Sequence, residues 1–85
     1  MENTEIFKLI EKEILNQDTR WGIRDQHPSI WLTILTEEVG EVANEICEGN
    51  FNVKEMNLDD YESELIQIAA VACQMVKNIK KYKNV

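Results

Sequence analysis

The 85-residue chain has one histidine, one proline, three glycines and two cysteines. A single histidine, His27, excludes a His-rich zinc or di-iron centre, and no second signal accompanies it toward a Ser-His-Asp relay. Gly22, Gly40 and Gly49 lie far apart, so no glycine-rich loop is present to cradle phosphates. Cys47 and Cys73 lack the close spacing of a zinc motif; within helical apolar patterns they read as packing residues, which fits a reducing, cytoplasmic setting. Basic residues are scarce. Nine Lys and Arg stand against sixteen Asp and Glu, a formal net charge of −7, which excludes a protein that coats nucleic-acid polymer or anionic membrane. No run approaches the roughly 18 apolar residues of a membrane span. The opening Met-Glu-Asn-Thr-Glu has no apolar signal core.

What remains is an acidic, helix-forming chain of ordinary apolar content, read as one small domain over 1–85. Ile6, Leu9, Ile10 and Ile14 recur at helical spacing and predict a helix over 4–16. The polar stretch 16–28, with Trp21, Arg20 and Arg24, reads as an ordered loop. Ser29 after Pro28 caps a second helix over 29–48, stopped by Gly49–Asn50. A short helical turn near Val53–Met56 precedes a third helix over 59–81, opened by Asp59 and Glu62 in a capping-box pattern. A short connection makes the second and third helices antiparallel neighbours. The expected fold is therefore an all-α antiparallel helical bundle. A core of this size is marginal alone, and the third helix is apolar nearly all round between Leu65 and Val76, so oligomerisation should complete it.

The second helix carries the chemistry. At about 100° per residue, Glu37, Glu38, Glu41, Glu45 and Glu48 share an arc of roughly 100°. Trp31, Leu32, Leu35, Val39, Val42 and Ile46 fill the adjoining arc. Glu38 sits at the seam between them. On the third helix Glu64 lies at a similar seam, beside a strip of Gln67, Gln74 and Asn78. Such a cluster is most often a solvated acidic face. At a half-buried seam, however, like charges are costly, and a divalent cation such as Mg²⁺ removes that cost.

These residues form an ordered set. Glu38-Val-Gly-Glu41 followed by Glu64-Leu-Ile-Gln67 resembles the ExxE…ExxD signature of the MazG-like, all-α nucleoside triphosphate pyrophosphohydrolases. The flanks, Arg20-Trp21-Gly22, His27-Pro28 and the Trp31-Leu-x-Ile-Leu-x-Glu-Glu-Val-Gly-Glu-Val-Ala helix, are similar as well, over roughly residues 20–82. The resemblance implies Mg²⁺- or Mn²⁺-dependent hydrolysis of a nucleoside triphosphate to a nucleoside monophosphate and pyrophosphate, in nucleotide-pool house-cleaning. It implies a homodimer or dimer of dimers. By position, Glu38, Glu41 and Glu64 would be metal ligands, with Gln67 standing where the signature has Asp. His27, Trp31 and Trp21 would line the base and sugar pocket, and Lys77, Asn78 and Lys81 would approach phosphate. Glu37 and Glu45 are the candidates to take a proton from water. A different class also fits: a non-catalytic helical oligomer binding a nucleotide or protein partner through the same acidic groove, or a purely structural acidic bundle.

Overall fold

The computed structural model describes residues 1–83. Among them the chain is all-helical: α1 (Asn3–Trp21), α2 (Pro28–Glu48), a 3₁₀ turn at Val53–Glu55 and α3 (Leu58–Lys83). The element types and order match the sequence expectation; the termini differ instructively. Helix α1 runs five residues past Asn16 to Trp21, where Gly22 at φ +78° stops it and donates its N–H to Asp18 O at 2.8 Å. The apolar period was lost at residue 17, yet Gln17 stands seven residues after Ile10 and occupies the buried side of the helix as a polar residue.

The caps also shift. His27, not Ser29, caps α2: its Nδ1 accepts from Ser29 N at 3.1 Å, with Pro28 in the first turn, where a missing N–H costs nothing. Asn57, not Asp59, caps α3, its Oδ1 accepting from Asp60 N at 3.1 Å. Helix α2 stops where expected. A Cβ at Gly49 would lie 2.4 Å from Met56 Cγ, so glycine is required there by close approach of the returning chain. Asn50 and Phe51 then turn it through left-handed backbone at φ 53° and 60°.

Helices α2 and α3 are antiparallel. Trp31 meets Asn78 near the start of α2, and Glu41 meets Glu64 further along it. Helix α1 packs on α3 and runs with it, Ile10 beside Ile66 and Gln17 against Gln74. Helix α3 thus packs against both others, which scarcely touch each other. The result is an open layer, 48 × 28 × 23 Å. No helix of the described residues is long and apolar enough to cross a membrane.

The core is thin. Trp31, Ala70 and Val71 are its fully buried apolar residues, joined by Gln17 and Gln74. On α3 the core therefore falls on the strip expected to be polar. Gln74 can be buried because its Nε2 donates to Gln17 Oε1 at 2.6 Å. The apolar arc opposite is left to solvent: Leu65, Val76 and Ile79 on α3, and Leu32 and Val39 at the edge of the α2 arc, are all exposed.

Candidate metal centre

Helical spacing sets Glu38 and Glu41 one turn apart on α2. The antiparallel α3 brings Glu64 across to them. One carboxylate oxygen from each of the three lies within 4.8 Å of the others. Oxygens bound to one Mg²⁺ at about 2.1 Å are ~3.0 Å apart when adjacent and ~4.2 Å when opposite, so side-chain adjustment, without movement of the helices, would draw this cluster into a coordination shell. The donor set is entirely hard oxygen, as such an ion requires.

The electrostatics point the same way. Glu38 Oε2 and Glu64 Oε2 are out of water and lack any hydrogen-bond donor. As ionised groups they are orphaned acceptors facing other acids, and a proton or a cation must relieve them. Loss of solvation, followed by the hydrogen bond and charge of Glu41 and then Glu38, pushes the Glu64 carboxyl up to about 7. Glu38 is raised as well, first by desolvation, then by Glu41; Glu13 and Glu37 add smaller repulsions, against a lowering hydrogen bond from Glu64.

The other expected residues divide. Gln67 stands one turn after Glu64, but its Nε2 donates to Ser63 Oγ at 3.4 Å. Glu37 is exposed. Glu45 lies one turn beyond Glu41; desolvation raises its carboxyl, with Asp60 and then Glu48 adding to the shift.

The candidate substrate residues are occupied in holding the 22–27 connection. Trp31 is 1% exposed, so its indole is closed to stacking by a base in this conformation. Its Nε1 donates to Asn78 Oδ1 at 2.8 Å, and the Arg24 guanidinium covers its ring. Asn78 Oδ1 also accepts from Gln26 N at 2.9 Å, while Nδ2 donates to Arg24 O at 3.3 Å. Asn78 therefore staples a loop here, with its Oδ1 shared by two donors and one N–H of its Nδ2 engaged. Lys81 Nζ pairs with Asp25 at 2.5 Å, which raises its pKa. His27 is engaged as the α2 cap. Trp21 is half-exposed, with Arg20 and Arg24 each 4.9 Å from its ring centre. Exposed Lys77 shares a groove with Asp25, Lys80 and Lys81.

Beside Trp31 opens an apolar slot of about 180 Å³, walled by Met75, Val76, Ile79 and Tyr82 with Gln26 at its polar edge. Sequence reasoning also missed Glu13 and Arg24. Glu13 follows Ile6 by seven residues and Ile10 by three, so its place on the packed side of α1 was legible in the helical period.

No family model, curated protein or solved structure matches this chain.

Proposed function

We propose that this protein is a divalent-cation-dependent nucleoside triphosphate pyrophosphohydrolase of the MazG-like kind. The observation that carries the reading is the convergence of Glu38, Glu41 and Glu64 from two helices, in the order and spacing of the resemblance. These three residues would hold Mg²⁺ or Mn²⁺. When bound, the ion neutralises phosphate charge and acidifies a water.

The chain's own residues supply the rest. Of the two candidate proton acceptors, Glu45 is favoured over Glu37: desolvation raises its carboxyl, the direction that makes a carboxylate a better base, and it is set apart from the three ligands. The apolar slot of about 180 Å³ beside Trp31 and Tyr82 would take the base, with the Gln26 side chain as an orienting polar group. The Lys77, Lys80 and Lys81 groove adjoins it through Asn78 and offers positive charge to phosphate oxygens.

Assembly follows from surface. The chain exposes 6340 Å², against about 5,200 Å² for a compact monomer of its mass. Its radius of gyration is 14.5 Å, where roughly 12 Å is usual for this length. The excess is of the size that one partner buries in a standard interface, about 800 Å². A second copy covering the exposed Leu32, Val39, Leu65, Val76 and Ile79 accounts for it.

One observation favours a second reading. With Gln67 turned to Ser63 and carrying no charge, the centre is a carboxylate short of the signature; a non-catalytic helical oligomer binding a nucleotide or protein partner through this groove would need no more. Incubation with a panel of ribo- and deoxyribonucleoside triphosphates and Mg²⁺, resolving monophosphate from diphosphate, decides. Monophosphate and pyrophosphate are expected. Diphosphate would overturn the assigned reaction, and no turnover would leave the binding role.

A further inference from the structure

The slot beside Trp31 is small. Its volume is about 180 Å³. An engineered apolar cavity of about 150 Å³ holds one benzene ring, whereas pockets for drug-sized ligands start at about 300 Å³. The slot therefore suits a single six-membered ring and lacks room for a fused bicycle. Met75, Val76 and Ile79 wall it with Trp31 and Tyr82, and two amides, Asn78 and Gln26, complete the lining. Asn78 is engaged by the 22–27 connection and by the Trp31 indole. Gln26 is different. Its backbone N–H is held by Asn78 Oδ1 at 2.9 Å, but its side-chain Nε2 is out of water and donates to nothing among the described residues. A buried donor without an acceptor is costly. The terminal torsion of a glutamine is soft, so a small turn of the amide presents that N–H to a ligand edge in the slot. Asn78 also lines the groove of Lys77, Lys80 and Lys81, so the slot adjoins positive charge.

We propose that this slot selects a pyrimidine base with a keto oxygen at C4, uracil or thymine, and that Gln26 is the residue that reads it. This rests on the reading of the protein as a nucleotide enzyme and names the substrate class of that site. The sugar and phosphates stay outside the slot, toward the lysines. The ring then enters with the edge opposite N1 leading, and C4 lies at that edge. A C4 keto oxygen accepts from Gln26 Nε2, whereas the C4 amino group of cytosine sets a donor against a donor. A purine carries a second ring for which the slot has no room. The outer walls, Val76 and Ile79, belong to the arc assigned to a second copy, which would close over the seated ring.

The test separates base from phosphate. The chain has two tryptophans, and of these Trp31 lines the slot. Nucleosides without phosphate are titrated into the isotopically labelled full chain, and the two indole N–H resonances are followed by nuclear magnetic resonance. Uridine and thymidine should move the Trp31 resonance and leave that of Trp21 in place. Cytidine should bind on the order of tenfold more weakly, and adenosine and guanosine should leave Trp31 unmoved. Gln26→Glu offers only acceptors and should reverse the order of uridine and cytidine, and Gln26→Leu should erase it. Neither change removes a side-chain hydrogen bond from the Gln26 amide nitrogen. An order unchanged in both variants would overturn the role of Gln26. Equal shifts by all five nucleosides, no shift at all, or a shift at Trp21 instead would overturn the inference. Release of monophosphate and pyrophosphate from purine and pyrimidine triphosphates alike would then leave the pyrophosphohydrolase reading standing. Selective uridine binding with no turnover of any triphosphate would overturn that reading and leave the slot as a pyrimidine-nucleotide site.

Discussion

Trp31 and Asn78 are 47 residues apart in the chain and joined by a 2.8 Å hydrogen bond from the indole Nε1 to the amide Oδ1. The same oxygen accepts from Gln26 N, and the amide nitrogen donates to Arg24 O. One side chain on α3 thus ties down the start of α2 and the loop before it. Asn78→Ala would orphan the indole N–H, the Gln26 N–H and the Arg24 carbonyl. Each buried polar group left unpaired costs about 1–3 kcal/mol, and water reaching the loop will relieve part of the sum. A loss of about 2–3 kcal/mol is expected in urea unfolding, with a red shift in tryptophan emission. A variant as stable as the parent would mean that Asn78 is not a staple and is free to serve phosphate.

The three ligand carboxylates carry the second prediction. Glu38→Gln, Glu41→Gln and Glu64→Gln should each abolish pyrophosphate release. Each also removes repulsion at a half-buried seam, so metal-free melting temperatures should hold or rise. Parent-rate turnover, or outright unfolding, would sink the assignment.

The third concerns pH. Glu64 titrates near 7 in the folded chain against an ordinary value of 4.5. Between those values the folded state holds a proton that the unfolded state has released. Stability therefore falls as pH rises through this window, and the raised carboxyls impose their full cost above it. Metal-free melts should show a lower Tm at pH 8 than at pH 5. Mg²⁺ or Mn²⁺ favours the ionised carboxylates, so saturating metal should flatten or reverse the slope. A metal-free Tm that climbs steadily from pH 5 to 8 would contradict the cluster's electrostatics.

Gln67→Asp tests the departure from the signature. It withdraws the side chain from Ser63, adds a charge beside Glu64, and should tighten Mn²⁺ binding on the order of tenfold. Without metal it should melt lower than the parent, because another acid joins the cluster. One pair of melts, with and without metal, reads both signs. A variant whose Tm responds to metal no more than the parent's would place residue 67 outside the centre.

The last prediction is assembly. Sedimentation at micromolar concentration should find a dimer or larger species. Val76→Lys, at a position 69% exposed in the single chain, should shift it to monomer while leaving far-UV circular dichroism helical. A monomeric parent would overturn the proposed covering of the apolar arcs.

The helices were legible in the sequence because their cause is local. Apolar period, Pro28–Ser29 and the Gly49–Asn50 stop are read within a few residues, and they delimit α2 nearly to the residue. The acid cluster was legible for the same reason: spacing alone puts Glu38 and Glu41 on one face, and a short turn returns Glu64. What α3 buries was not. A helix apolar on most sides has more than one possible core face, and pairing decided it. Gln74 entered the core because Gln17 met its amide, and Asn78 because an indole and a loop did, which left Leu65, Val76 and Ile79 outside. Long-range bonds likewise engaged Trp31 with Asn78 and Lys81 with Asp25. A polar residue on a buried face breaks the periodic signal that sequence reading relies on. Only its partner, 57 residues away for Gln17, restores the reason for its being there.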